Sequence, residues 1–464
     1  MNMEKQRAQS MGYLPDEKPP FYKLILYAIQ QVIVMFPATV TVALITKFDI
    51  ATTIFASGLA TLCFLLITKK QLPLYYGSSF SYISAITGLA AAQGLELGSV
   101  EAIRISQFGI VMSGLVSIVA GLIVNHFGRE SIEKVLPPTI TGSIAMTIGL
   151  TLAANAIGDA CTAPAVEGVS DQTLQNLAWV LSLLTLFTTI LCNVYLKGFI
   201  GQLTLIIGPA VGVLAAFIIK WTTGIDFFRS LNETSALFAV PHFTLPKPSL
   251  AAVAAIMPIA IATIPESTAH VFQLDVYVNN LAQKKGSKKK YDIGSKLGLN
   301  LIGDGLGDMI SGFVGGPAGT NYGENISTMT ITNVFSVSVL IAAAVIAMVI
   351  SFFTPLTKAI YAIPTAVIGG LEIFLFGAIA AQGIAIMIDR KVSLFESKNI
   401  AVIAAIMIIG IGGNYKFEGG AIPFFGMKVP CIAGAAIFGI FLNLILSIGK
   451  KKPETEKADS AEQK

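Results

Sequence analysis

Apolar residues in this chain come in long uninterrupted runs rather than in alternation. They fall at 22–46, 50–68, 80–93, 104–126, 137–157, 176–196 and 201–220, and again at 250–273, 294–314, 323–332, 333–353, 359–388, 399–413 and 430–449. A helix needs about 20 apolar residues to cross the roughly 30 Å hydrocarbon core of a bilayer. The pattern therefore predicts an all-α polytopic membrane protein of 14 transmembrane segments. Two runs, 80–93 and 323–332, are too short to cross as a helix. Each is the third of its set of seven, and each is entered through a glycine turn, Tyr75-Tyr76-Gly77-Ser78-Ser79-Phe80 and Asn321-Tyr322-Gly323-Glu324-Asn325-Ile326. Matched interrupted segments point to a transporter site between repeats. An odd number of segments per half makes the second repeat insert inverted.

Composition agrees. Of 464 residues, 54% are hydrophobic and only 12% charged, where a soluble domain averages about a quarter charged. The net charge of +4 is less telling than its distribution. If the N-terminus is cytoplasmic, the inside loops collect Lys69-Lys70, Arg129, Lys134, Lys197, Lys284-Lys285, Lys288 to Lys290, Arg390-Lys391 and Lys450 to Lys452. With the basic residues of the two tails and the inner segment ends, about 22 of the 31 lie inside, as the positive-inside rule expects. Residues 1–21 and 450–464 are expected to be cytoplasmic tails; Met1 to Pro20 reads as solvated and has no cleavable signal pattern. The four cysteines form no CxxC pair, so neither zinc nor redox chemistry is indicated.

Candidate chemistry lies where polar groups interrupt the runs. Gly315 to Ile326 is a helix-breaking stretch with a carboxylate, Glu324, and an amide, Asn325. Irregular backbone beside an acid at membrane depth is costly unless it lines a cavity. Glu324 opens a short helix, so its carboxylate and the unpaired backbone N–H groups would sit together. Such a pair either complements a ring that alternates N–H and C=O, or merely caps the helix. Phe80 occupies the counterpart position, where it either stacks on a flat heterocycle or packs in the core. Glu266 and His270, at i and i+4 after Pro265, share a helix face. They suit a protonation switch or, alternatively, a locked pair at a helix contact. Gln31 would bond either ligand or a facing helix. Asp304 and Asp308 are again at i and i+4, with Lys296 a credible ion-pair partner and Asp304 the better functional candidate. Glu372 is isolated in an apolar run and has no assigned role. The basic run Lys284 to Lys290 suits a cytoplasmic loop near anionic lipid. A nucleic-acid role would need a soluble domain. No GxxxxGK[ST] or HExxH motif occurs, which disfavours ATP-driven transport and metalloenzymes; no metal and no cofactor are expected, and the chain is not read as an enzyme.

With these residues in place, the chain resembles the nucleobase–ascorbate transporter family, and within it the bacterial uracil permeases. The similarity rests on Gly77-Ser78-Ser79-Phe80, Glu266 with His270, Gly303-Asp304-Gly305 and Tyr322-Gly323-Glu324-Asn325. The resemblance implies two inverted seven-segment repeats, with short strand and half-helix segments 3 and 10. A core domain would span 22–126 and 250–353, and a gate domain 137–220 and 359–449. It further implies uracil stacked on Phe80 and bound by Glu266, Glu324 and the main chain of Tyr322 and Gly323. Ala38 would line the pocket, Asp304 and Asn325 would support it, and His270 would assist Glu266 in proton coupling. A homodimer in the cell membrane, driven by the proton gradient alone, completes the expectation. Gln31 stands where a histidine is common, Ser327 where glycine is usual, and Asn333 where a basic residue often follows Thr332. A xanthine or uric acid symporter of the same family is the alternative. An anion exchanger or channel of the same inverted-repeat fold is the reading from another class, since opposed helix N-termini hold anions. Two carboxylates beside the site argue against it.

Overall fold

A computed structural model describes residues 12–128, 135–229, 236–425 and 427–448. Arg129, Lys134, Lys450 to Lys452 and the first eleven residues, all used in the charge argument, lie outside them. Each apolar run forms helix. In the first half these are α1 (Phe21–Thr46), α2 (Ile50–Ile67), α3 (Ile83–Ala92, entered by a 3₁₀ turn Phe80–Tyr82), α4 (Val100–Phe127), the pair α5 (Pro138–Thr151) and α6 (Ala153–Ala160), α7 (Asp171–Tyr195) and α8 (Thr204–Thr223). In the second half they are α9 (Leu250–Ile256) continuing into α10 (Ala260–Lys284), α11 (Leu297–Val314), α12 (Gly323–Thr332), α13 (Val337–Ile350), α14 (Thr354–Tyr361) with α15 (Thr365–Asp389), α16 (Ser397–Met407) and α17 (Cys431–Ile445). Among the described residues nine helices are long and apolar enough to cross a membrane, and three shorter apolar helices, at Phe80–Ala92, Val337–Ile350 and Cys431–Ile445, accompany them.

The packing carries the inverted repeat. Let the runs be segments 1 to 14 and exchange each with the one seven places away. Segment 2 (α2) packs on segment 11 (α13), and segment 4 (α4) on segment 9 (α11); the exchange turns one contact into the other. Segment 12 (α15) on segment 5 (α5 and α6) maps onto itself. The pair α7–α8 maps onto α16–α17. Small residues let these helices approach closely. A Cβ on Gly114 of α4 would come within 2.3 Å of the carbonyl oxygen of Gly305 on α11, and the reverse holds at the same distance. Two sets of helices result. Helices α1, α2, α4, α9 to α11 and α13 pack together, and α5 to α8 pack with α15 to α17. Phe80 lies on the boundary between the two main apolar cores and touches both.

At the centre cross two short strands, β1 (Tyr76–Ser78) and β2 (Gly319–Asn321), paired antiparallel with Tyr76 opposite Asn321 and Ser78 opposite Gly319. Each strand's glycine makes room for a tyrosine from the other half. A Cβ on Gly77 would lie 2.3 Å from the Tyr322 ring, and one on Gly319 would lie 2.4 Å from the Tyr76 ring.

Three expectations change. The tail is not solvated from Gly12 onward. Tyr13 and Leu14 are buried, Tyr13 N–H donates to the Asn333 carbonyl at 2.8 Å and Phe335 N–H to the Tyr13 carbonyl at 2.7 Å. Lys285 reaches Glu17 at 2.5 Å and Lys289 reaches Asp16 at 2.6 Å. The loop before α17 holds a hairpin, β3 (Ala421–Phe424) and β4 (Met427–Pro430), that apolar periodicity does not signal. Lys296 is not the partner of the α11 acids: its ammonium donates to the Asp292 carbonyl at 2.5 Å, on the exposed approach to the helix.

Candidate functional site

Helices α3 and α12 start just beyond the ends of the two crossed strands. Because the strands are antiparallel, the helices leave in opposite directions and both turn their N-termini to the centre. The Gly323, Glu324 and Asn325 amides form the first turn of α12. They have no intrahelical acceptor, but the Glu324 amide donates to its own carboxylate and Asn325 is buried, so of the three amides only that of the partly exposed Gly323 is open beside the carboxylate. The N–H of Tyr322, in contrast, donates to the Tyr75 carbonyl at 2.9 Å. Of the two main-chain contacts expected from this turn, the donor at Tyr322 is therefore already taken and the one at Gly323 is open.

Partial exposure marks the site within a buried surrounding. Phe80, Glu266, His270, Gly323, Glu324 and Ser327 all keep some accessible surface, while Ser267, Asn325, Ile326 and Thr328 beside them are buried. Glu324 is the charged neighbour acting on Glu266, so the two carboxylates share one space. His270 packs on the start of α12: its Nε2 lies 2.9 Å from where a Cβ on Gly323 would sit. Neither a hydrogen bond nor an ion pair joins Glu266 to His270, and His270 Nδ1 is buried without a partner. The locked-pair alternative is thus not what the helix face does.

The remaining sequence candidates form the frame. Gln31, 2% exposed, accepts from the Asn325 side-chain amide through Oε1 at 2.7 Å and through its main-chain carbonyl at 3.0 Å. Of its two readings, the facing-helix bond is the one formed. Ala38 is buried in the cluster that includes Tyr322, and its neighbour Thr39 pairs with the Tyr322 hydroxyl at 3.0 Å. That hydroxyl donates to the Ser78 carbonyl at 2.9 Å, so the Tyr322 ring ties α1, β1 and α12 together. Asp304 accepts from Ser267 and, at 3.3 Å, from Asn300. Asn300 also donates to Ser267 at 2.7 Å and accepts from Asn321 at 3.0 Å. This network connects the buried side of the Glu266 helix to β2. Asp308 accepts from the Tyr76 hydroxyl and, at 2.8 Å, from the Gly319 amide, which pins the strand crossing from below.

Sequence reasoning missed Tyr76, Ser267, Asn300, Asn321 and Thr39, all of them framing residues. The Tyr-Gly match between halves was the available signal for Tyr76. Nothing in spacing marks Thr39, which matters only because the chain returns 283 residues later. Asn333, at φ 55, is the left-handed C-cap of α12, about 14 Å along the helix from its first turn. Its contact is the N-terminal segment, whereas Ser327 is on the open side of the site.

A model of the permease family matches residues 22–419. The chain is 35% identical over 439 residues to the uracil permease of Bacillus caldolyticus, covering 93% of each. It is 34% identical to the uracil permease of Escherichia coli K12, covering 96% of each, and 33% identical to that strain's putative pyrimidine permease RutG, covering 93% of this chain and 91% of the relative. In fold it resembles the murine solute carrier 26 family member A9 anion transporter in the inward-facing state, with a TM-score of 0.64 and 11% identity, over 93% of this chain and 69% of that one. The transmembrane domain of a cyanobacterium bicarbonate transporter gives a TM-score of 0.55 at 15% identity, over 94% of this chain and 99% of that one.

Proposed function

This chain belongs to the nucleobase–ascorbate transporter family, and on that premise we propose that it imports uracil by proton symport through alternating access. It is a multi-pass membrane permease, not an enzyme. The observation that carries the substrate reading is the start of α12, where the Glu324 carboxylate lies beside the Gly323 amide, which has no intrahelical acceptor. Uracil presents N–H and C=O groups in alternation along its edge. The carboxylate accepts from a ring N–H, and the open Gly323 amide donates to the adjacent carbonyl. Phe80, at the boundary of the two cores, covers the ring face. Gln31 acts on the base only through Asn325, by holding α12 in place.

Glu266 is the proton carrier of this proposal. Two carboxylates in one low-dielectric space repel, and a proton on one relieves that repulsion. Loading the site with a neutral base and a proton removes net charge from the surface that must slide. The helix set around α1, α2, α4 and α9 to α13 then acts as the core, and the set around α5 to α8 and α15 to α17 as the gate. The excess of basic residues in alternate loops supports both termini lying in the cytoplasm. An anion as substrate is disfavoured by the same two carboxylates, whatever the fold's other members carry.

Replacing Glu266 by Gln tests this directly. Uracil binding to the detergent-solubilised variant should persist, while accumulation driven by a pH gradient should fall to the level of passive exchange. Gradient-driven accumulation at the wild-type level in E266Q would remove the proton role from this residue.

A further inference from the structure

Glu372 takes no part in the site just described. It lies on α15, seven residues past its first residue, or about 10 Å along the helix. It is 0% exposed, and neither carboxylate oxygen has a hydrogen-bond partner. The helix is clamped there. A Cβ on Gly369 would meet the Ala160 amide nitrogen at 2.1 Å, and one on Gly370 would meet the Ser182 carbonyl oxygen at 2.2 Å. The segment cannot turn to bring the acid to a surface.

The charged groups acting on Glu372 are Asp159, at the end of α6, and Lys47, at the end of α1. Arg229 acts on both of these in turn, and its free Nη2 is also buried without a partner. Exposure falls along the row: Lys47 is exposed, Asp159 half-buried and Glu372 sealed. The row also crosses the boundary between the helix sets, since Lys47 belongs to the first and Asp159 and Glu372 to the second. A bare carboxylate in such surroundings needs a cation. A metal ion would require several further ligands, and among the described residues no group of three or more His, Cys, Asp or Glu side chains is placed to hold one. A proton requires none.

We propose that Glu372 is a second proton-binding site, filled and emptied through Asp159 as Lys47 moves with the first helix set. This deepens the symport reading, on which its place in the cycle rests. When Lys47 is near, its charge favours ionised acids in the row. When the sets shift and Lys47 withdraws, the sealed acid takes up a proton. The proton goes from water to Asp159 to Glu372 and back, with no other group changed.

The test is infrared difference spectroscopy of the purified full chain in lipid, taken across about pH 5 to 9, with the proton-to-uracil ratio measured in proteoliposomes. Wild type should show a carboxylic-acid C=O band, in the absence of uracil, that titrates within that range. Glu372→Gln should lack the band, and Glu372→Asp, which keeps an acid in the fold, should show it displaced. The ratio in E372Q should be roughly half that of wild type. A Glu372 band that never titrates, a band that responds to sodium rather than to pH, or proton-coupled uptake whose ratio is unchanged in E372Q would each overturn the proposal. If uptake proves independent of protons in all three proteins while the band titrates, the symport reading fails and the proton site stands.

Discussion

Glu324 does two things with one position: its side chain supplies an acceptor, and its place in the first turn of α12 sets that acceptor beside the open Gly323 amide. Glu324→Gln replaces an acceptor-only carboxylate by a neutral amide that both donates and accepts, so the bond to a ring N–H loses its charge assistance and an amide N–H is left facing the ring edge. We expect uracil binding to weaken roughly 10- to 100-fold, the cost of leaving one buried polar group unmatched, with xanthine less affected. Calorimetric titration of both bases against wild type and E324Q reads this out; equal loss for both would contradict edge recognition by Glu324. The candidate residues stood out in the sequence because an acid, an acid–imidazole face and an aromatic each interrupted an apolar run. Their partners were not. Gln31 meets Asn325 across 294 residues, and no local pattern tells whether an intramembrane amide faces ligand or helix. The same limit hid the Tyr322 ring, whose role is fixed by Gly77, Ser78 and Thr39 in the other half of the chain.

Elements were more legible than side chains. Fourteen runs gave fourteen helical segments, and the two short ones became the half-helices. What periodicity could not give was the pairing of β1 with β2, three residues each, in which a glycine of each strand admits a tyrosine from the other half. Gly77→Ala forces a methyl group into the Tyr322 ring, and overpacking of that kind costs about 1–3 kcal/mol. A lower Tm with uracil binding reduced in parallel is expected; unchanged Tm would mean the crossing tolerates space it is not seen to have. The N-terminal segment also escaped the sequence, because its polar composition reads as solvated while its contacts are long-range. Its Glu17 partners Lys285, whose side chain is 4% exposed. Glu17→Ala leaves that ammonium with the Gly12 carbonyl at 2.9 Å but no counter-charge, and should cost about 1–3 kcal/mol in thermal unfolding. Burial pushes the neighbouring Asp16 carboxyl up, but hydrogen bonds from Lys289 and Tyr291 outweigh it and hold the group below the ordinary carboxylate range. A group lowered on folding stabilises at neutral pH and loses that contribution as pH falls through its lowered value. Hydrogen exchange at residues 12–18 should therefore stay slow down to about pH 4 and accelerate only in more acid solution.

At the scale of the whole molecule, the inverted repeat is visible twice, once as run order in the sequence and once as exchangeable helix contacts in the fold. It places two N-termini at one point, and the two main apolar cores meet at the aromatic beside it. The fold alone does not choose a cargo, since its structural neighbours include anion transporters; the carboxylates at the site and the uracil permease relatives favour a neutral base with a proton. The decisive measurement is radiolabelled uracil uptake into proteoliposomes holding the purified chain, with and without an inward proton gradient and with excess unlabelled uracil or xanthine. Uptake above equilibrium only with the gradient, suppressed by uracil and little by xanthine, is the predicted result. Uptake indifferent to the gradient would contradict proton symport, and stronger suppression by xanthine than by uracil would contradict the assignment of the base.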